Sequence, residues 1–471
     1  MKASLIATLT QALGKDSGLV LVGGAVRDRW LDRQGGDWDL ATSLLPEEVL
    51  RRAKAARLRA IPTGLQHGTV TVLVEQHPIE ITTYRGDGPY LDGRRPERVT
   101  LGVGLEEDLA RRDFTVNAMA LPLDAVNEPD WQARVLDPFG GRRDLEAGLL
   151  RAVGEPLLRF AEDGLRPLRA CRFASQLGFE LEPATLAAIP ARLEVARKVS
   201  VERVFAELTK LLCGQDPARG LRLLEQTGLL DLWLPELRPM LGCAQNRHHR
   251  LDVWEHTLVA FTAEKTANAD LRWALLFHDI GKPATRTVDE TGETHFYGHE
   301  EVSARCALEL LPRLRAPNQL REKVQSLIRL HGEHPTGDWS DAAYRRLLKR
   351  LTDAGIATET WALLRRADQY GKGWAECEHT PSGLSGTQWW TETGEEWAQI
   401  LERLEFVRYP GLTAKELALD GTALMALAGR VGGPWLGELQ KHLLEAVLED
   451  PTCNRIEALQ HIALEWLSIV P

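Results

Sequence analysis

The chain has 471 residues, 44% apolar and 26% charged, with a formal net charge of −10. The length predicts about three domains rather than one core. No stretch reaches the ~18 consecutive apolar residues that span a bilayer, and residues 1–19 carry no signal-peptide core, so the expected address is cytoplasmic.

In chain order, the first apolar run, residues 19–22, is predicted to be a strand that meets a tight turn at Gly23-Gly24. Residues 69–74 and 79–84 are β-branched runs joined by Gln76-His77-Pro78, which predicts a hairpin. A glycine-rich, charged loop follows over residues 84–96, and the turn cluster at residues 136–141 closes this mixed α/β region. From about Asp144 the texture is helical, with Leu at 3–4 spacing, and this character is expected to hold to the C-terminus. Two cationic stretches stand out: Arg151, Arg159, Arg166, Arg169 and Arg172, then Arg345, Arg346, Lys349 and Arg350. Each reads either as a phosphate-binding patch or as a solvated helix face, and the acidic whole-chain charge does not decide between them. Residues 371–394, rich in Gly, Thr, Trp and Glu, are expected to form a linker before a last helical segment. Cys171, Cys213, Cys243, Cys306, Cys377 and Cys453 include no Cys-x-x-Cys pair, which argues against a zinc ribbon or a disulfide framework.

Gly23 and Gly24 after a strand allow backbone N–H groups to approach a triphosphate, and Arg27 adds charge there. Asp37 and Asp39, two apart on a strand, project from one face. Two convergent carboxylates suit a pair of Mg²⁺ ions about 3.5–4 Å apart, one at an RNA 3′-hydroxyl and one at a pyrophosphate leaving group. Glu80, on the second hairpin strand, is a further candidate near the metals. Asp163 and Arg166, three apart, are expected to share a helix face. A carboxylate beside a guanidinium complements the amino group and ring nitrogen of cytosine and adenine, and mismatches guanine and uracil. An unpaired buried polar group costs about 1–3 kcal/mol. The bland alternative is an intrahelical ion pair.

Leu21-Val-Gly-Gly-Ala-Val-Arg-Asp28 followed by Asp37-Trp-Asp-Leu-Ala-Thr42 resembles the active-site signature of class II CCA-adding enzymes and bacterial poly(A) polymerases. Arg111-Arg-Asp-Phe-Thr-Val-Asn-Ala118 resembles the family's ribose-reading motif, which implies a 2′-hydroxyl acceptor role for Asp113, a phosphate role for Arg112 and a nucleotide-binding role for Asn117. Glu162-Asp-Gly-Leu-Arg-Pro-Leu-Arg-Ala-Cys-Arg-Phe173 resembles the base-selecting motif, with Asp163, Arg166, Arg169 and Arg172, and Val199-Ser-Val-Glu-Arg-Val-Phe-Ala-Glu207 the helical motif that braces the neck. The resemblance implies a Mg²⁺-dependent enzyme that joins CMP and AMP from CTP and ATP to a tRNA 3′ end. The full-length loop at 84–96 favours CCA or A addition over CC addition, and leaves those two open. A poly(A) polymerase fits less well, because such enzymes usually carry a longer basic tail.

Eight of the thirteen histidines lie between His248 and His334. The ordered set His256, His278-Asp279, His299, His331 and Asp368 resembles the HD superfamily of metal-dependent phosphohydrolases. Imidazole and carboxylate ligands suit a divalent transition metal or Mg²⁺, which activates a water against phosphate esters. The resemblance implies His256, His278, Asp279 and Asp368 as the inner set, a second ion at His299 and His331, and a phosphatase or 2′,3′-cyclic phosphodiesterase activity. The alternative is scattered surface histidines and a capping Asp. The expected fold class is an α/β nucleotidyltransferase head (1–145), then an all-α neck and body (146–245), HD domain (246–380) and tRNA-binding tail (381–471). A rival reading makes the hydrolase central and the head an RNA-docking module.

Overall fold

The computed structural model describes residues 3–33, 38–88, 99–263, 265–378, 380, 382, 384–408 and 413–469. The chain divides into two compact units, Met1–Pro235 and Glu236–Pro471.

In the first unit the strands are β1 (Val20–Val22), β2 (Asp39–Thr42), β3 (Arg59–Gly64), β4 (Thr69–Val74), β5 (His77–Thr83), β6 (Arg85–Asp87), β7 (Val99–Leu101) and β8 (Ala120–Pro122). Six of them make one mixed sheet in the order β3-β4-β5-β2-β1-β8, while β6 and β7 pair as a separate ribbon. The β-branched run of β4 is nearly all buried, and β5 alternates buried Ile79 and Ile81 with exposed Glu80, the period of two that a one-sided sheet imposes. The predicted hairpin is present, with a shorter turn than expected. β5 already starts at His77, and Glu75 and Gln76 alone turn the chain, both at positive φ (48° and 67°). A two-residue turn of this hand matches the twist of the flanking strands.

β2 pairs parallel with β5 and sets Asp39 opposite Glu80. Two carboxylates from strands 41 residues apart in sequence thereby reach the same face of the sheet. Beyond residue 140 the unit is helical except for the two-residue strands Leu149–Leu150 and Glu180–Leu181. Helices Pro156–Glu162, Arg166–Leu177, Pro183–Ala188 and Pro217–Gln226 each place a proline in the first turn, where its missing N–H costs nothing.

The second unit is also helical, apart from the ribbon of Thr287–Val288 with Thr294–His295. The expected linker is a correction. Residues 371–394 include the end of helix Thr358–Gly371 and the start of Gly386–Phe406, so Gly394 is in mid-helix. Ser385 and Gln388 form a capping box that nucleates this helix, and Trp397, Ile400 and Leu404 give it a buried stripe. The cations of the second basic stretch are bound internally. Arg345, 8% exposed, donates from Nε to the Leu448 carbonyl (2.6 Å) and from Nη2 to that of Glu449 (2.8 Å). It thus caps the C-terminal end of helix Pro434–Glu449. Arg346 pairs with Glu445 and Glu449, Lys349 with Asp353 and Arg350 with Glu333.

Replacing Arg345 by Ala is expected to cost about 1.5–3 kcal/mol, because buried carbonyls lose charged donors. The half-exposed Arg346, replaced the same way, should cost under about 1 kcal/mol. Denaturant unfolding of the two variants checks this, and equal losses would contradict the capping role. Among the described residues no helix is long and apolar enough to cross a membrane. All six cysteines are free.

Candidate functional site

β1 ends at Val22 and is followed by Gly23, whose φ of 66° and ψ of −136° exclude other residues without strain. A Cβ there would also stand 2.7 Å from Arg112 Nη1, so the turn and Arg112 close on each other. Helix Gly24–Trp30 follows and carries Arg27. Arg27 is buried, pairs with Asp28, and donates from Nη1 to Asn117 Oδ1 at 2.5 Å. Asn117 Nδ2 in turn donates to Asp113 Oδ1 at 3.0 Å. Arg111 and Arg112 are both held by buried Asp108, at 2.8 and 3.2 Å.

The Gly23-Gly24 turn, Arg27, Arg111, Arg112, Asp113 and Asn117 line a cavity of about 520 Å³ together with Asp39, Asp163, Arg166, Arg169 and Arg172. Every described candidate of the head except Glu80 meets there. Glu80 borders an adjoining cavity of about 240 Å³ that also touches Asp39, Arg111 and Arg112. Asp37 lies outside the described residues, as does most of the loop at 84–96. Asp113 accepts from Arg169 (2.7 Å), Asn117 and the Phe114 N–H. Burial pushes its carboxyl up, but Arg169, Asn117 and Arg166 outweigh this and hold it well below the usual carboxylate range. It therefore presents an ionised acceptor to the cavity.

The base-edge pair needs a correction. Asp163 and Arg166 do not share a helix: Asp163 is extended (φ −135°, ψ 112°) just after helix Pro156–Glu162, and Arg166 opens the next helix. Gly164 between them lies against the Val195 carbonyl, where a Cβ would come within 2.3 Å. The Asp163 carboxylate accepts from the Leu165 N–H (3.0 Å) and from Arg203 Nη2 (2.9 Å). Arg166 donates to the carbonyls of Arg159 and Arg111 and pairs with Glu162. Both side chains still border the same cavity, fixed by separate partners instead of by each other. Arg172 donates to Glu207 (2.8 Å) and Gln176 (2.7 Å), lies 3.4 Å over the Phe173 ring, and is pushed by burial down to about 10.

In the second unit all six expected ligands converge. His256, His278, Asp279 and Asp368 form one group and Asp279, His299 and His331 another, with the ligand atoms of each group within 4.8 Å of one another. Asp279 belongs to both. Its Oδ2 is 3.3 Å from Nε2 of His256 and of His278, and its Oδ1 is 3.3 Å from His299 and 3.8 Å from His331. The Nδ1 atoms of His278, His299 and His331 face the carbonyls of Leu275, Phe296 and Ile328. A carbonyl only accepts, so Nδ1 carries the proton and the Nε2 lone pair is turned inward, the tautomer a metal ligand needs. Both Asp279 oxygens are buried without a well-formed hydrogen bond among the described residues, although Lys282 Nζ is 2.7 Å from Oδ2. Burial disfavours charge on Asp279, yet the Lys282 ammonium beside it holds it well below the usual range. Ionised, under-satisfied oxygen among inward imidazoles is a donor set that fits a divalent cation.

Three segments match family models: the Poly A polymerase head domain over residues 19–151, "Probable RNA and SrmB-binding site of polymerase A" over 178–241, and the HD domain over 248–370. A CCA-adding enzyme of Geobacillus thermodenitrificans is 35% identical over 441 residues, 93% of this chain and 90% of that one. The chain belongs to the CCA-adding family of tRNA nucleotidyltransferases. A member from Deinococcus radiodurans, named an A-adding tRNA nucleotidyltransferase, is 36% identical over 91% of each chain. The crystal structure of a Bacillus stearothermophilus CCA-adding enzyme in complex with CTP superposes with a TM-score of 0.68 at 29% identity, covering 99% of this chain and 98% of that one.

As in other nucleotidyltransferases, the protein's part here is mostly positioning, and the helix of the bracing motif supplies positioning residues whose individual partners the sequence did not name. Arg203, Glu207 and Lys210 stand at three- and four-residue steps on helix Val201–Leu212, which gives them one face. Arg203 holds Asp163, Glu207 holds Arg172, and Lys210 borders the cavity. The spacing was readable. What it faced was not.

Proposed function

We propose that this family member adds CMP and AMP to the 3′ end of tRNA from CTP and ATP, without a template, in the cytoplasm. The observation that carries this is the placement of Asp39 and Glu80 side by side on the sheet, with Asp39 at the rim of a cavity walled by Arg27, Arg112, Arg166, Arg169 and Arg172 and Glu80 in the adjoining one. In the reaction the terminal ribose oxygen bonds to the α-phosphorus of the incoming nucleotide. The bond from that phosphorus to the β-phosphate oxygen breaks, and pyrophosphate leaves. Asp39, with Glu80 and Asp37, would hold Mg²⁺, which when bound offsets charge on the phosphates and favours loss of the 3′-hydroxyl proton. Arg112 and the Gly23 turn receive the triphosphate, Asp113 the ribose hydroxyl, and the edge formed by Asp163 and Arg166 the base.

A-only addition is the second reading, and the Deinococcus radiodurans relative favours it. Product lengths on tRNA lacking its terminal CCA decide. With CTP alone two residues are expected, with CTP and ATP three, and with ATP alone none. Extension by ATP only on tRNA that already ends in CC would select A addition. No lengthening on either primer would reject both.

In the second unit we propose hydrolysis of a phosphate ester at the six-ligand cluster. Water oxygen bonds to phosphorus, the ester P–O bond breaks, and the departing oxygen takes a proton. Residues 381–471 are proposed to bind tRNA, with 1–145 as head, 146–245 as neck and body and 246–380 as the HD domain.

A further inference from the structure

Tyr297 is 77% exposed, yet it stands two residues before the candidate ligand His299. Its ring is not loose. It stacks on His295 with centroids 5.2 Å apart and planes 9° from parallel, and its hydroxyl is 3.3 Å from His295 Nδ1. The other nitrogen of His295 lies 2.8 Å from Asp289 Oδ2. Asp289 itself is fixed, because its Oδ1 accepts from the N–H groups of Thr291 and Glu293 and from the Thr291 hydroxyl. The loop of the ribbon Thr287–Val288 with Thr294–His295 thus clamps the imidazole, and the imidazole holds the phenol.

Tyr297 borders a cavity of about 420 Å³ whose lining includes Asp279, His331 and Asp368 as well as Lys282, Arg365 and Lys372. Three basic side chains beside a metal-ligating cluster suit a phosphate. They offer nothing to the remainder of the ligand. A flat aromatic face, preorganised at the rim and open to solvent, is what a nucleobase stacks on, and it does so for any base. The imidazoles of His249 and His334 complete the wall and add hydrogen-bonding edges.

We propose that Tyr297 is a nucleobase platform, so that the metal cluster receives the phosphate of a nucleotide or RNA end in preference to a small phosphate ester. This rests on the hydrolase reading above for its chemistry, though not for its binding. The test compares the full-length wild type with Tyr297→Ala and Tyr297→Trp, loaded with Mn²⁺, on adenosine 3′-monophosphate and on glycerol 2-phosphate, which has no ring. In Tyr297→Ala the ratio of kcat/KM for the nucleotide over glycerol 2-phosphate should fall at least about fivefold, mainly through KM. Tyr297→Trp should keep the ratio. Calorimetric titration with adenosine 3′-monophosphate supplies a readout apart from turnover: Ala should weaken binding by a similar factor, while binding at the head is common to all three proteins. Equal losses on both substrates, or no change in the ratio and in binding, would overturn the platform. If the wild type hydrolyses neither substrate but the binding difference appears, the platform stands and the hydrolase reading falls.

Discussion

Asp39→Ala is expected to lower tRNA extension on the order of 10³-fold while the protein stays folded. The side chain begins β2 at the solvent-exposed rim of the sheet, facing the cavity and opposite Glu80, while the following Leu40, Ala41 and Thr42 are buried. Its loss takes one carboxylate from the candidate Mg²⁺ set and leaves the core intact. Charge stabilisation aimed at a reacting centre is worth about 10²–10³ per group, whereas a surface substitution shifts stability within about 0.5 kcal/mol. Primer extension at saturating CTP and ATP, beside a thermal melt, separates the two effects. Extension at the wild-type rate would place the catalytic carboxylates elsewhere.

The second large effect concerns Asp279. Its two oxygens face different imidazole pairs, so it is the one side chain common to both ligand groups. Asp279→Ala should therefore strip both candidate cations, whereas Asp368→Ala and His331→Ala should each strip one. Metal content per chain, measured by elemental analysis after dialysis against Mn²⁺, should fall from two to none in the first variant and to one in the others. Phosphoester hydrolysis in Asp279→Ala should drop at least about 10³-fold, and tRNA extension should persist. The change also leaves buried Lys282 without its carboxylate partner, so a lowered melting point is expected alongside. Equal metal content in Asp279→Ala and Asp368→Ala would show that Asp279 does not bridge.

What the sequence revealed follows the range over which each signal acts. The clustering of the candidate metal ligands was legible because His and Asp carry rare chemistry in a fixed order, and helix ends such as Phe277 and Gly371 deliver them whatever the detailed packing. The glycine turn was legible because positive φ after a strand demands Gly. The base edge was misread because a three-residue step suits a continuous helix, and nothing local at Asp163 announces the break at Gly164. That glycine is required by Val195, 31 residues on, and the true partner, Arg203, is 40 residues on. Asp39 and Glu80 meet through strand register, which a sequence pattern does not specify between distant strands. The first part of helix Gly386–Phe406 was taken for linker because Gly386 and Gly394 outweighed its capping box and its Trp397, Ile400, Leu404 stripe. Of the two basic stretches, Arg166, Arg169 and Arg172 of the first line the cavity, while Arg345 of the second caps a helix, a distinction set by tertiary contacts.

Equilibrium dialysis of the protein with Mg²⁺ and each of the four ribonucleoside triphosphates, without RNA, tests the reading of the head most directly. With about 1–3 kcal/mol lost per mismatched buried group, CTP and ATP should bind at least about tenfold more tightly than UTP and GTP, and Asp163→Ala should narrow the gap. Equal affinity for all four, or no binding of CTP and ATP, would contradict a cavity that selects amino-bearing bases.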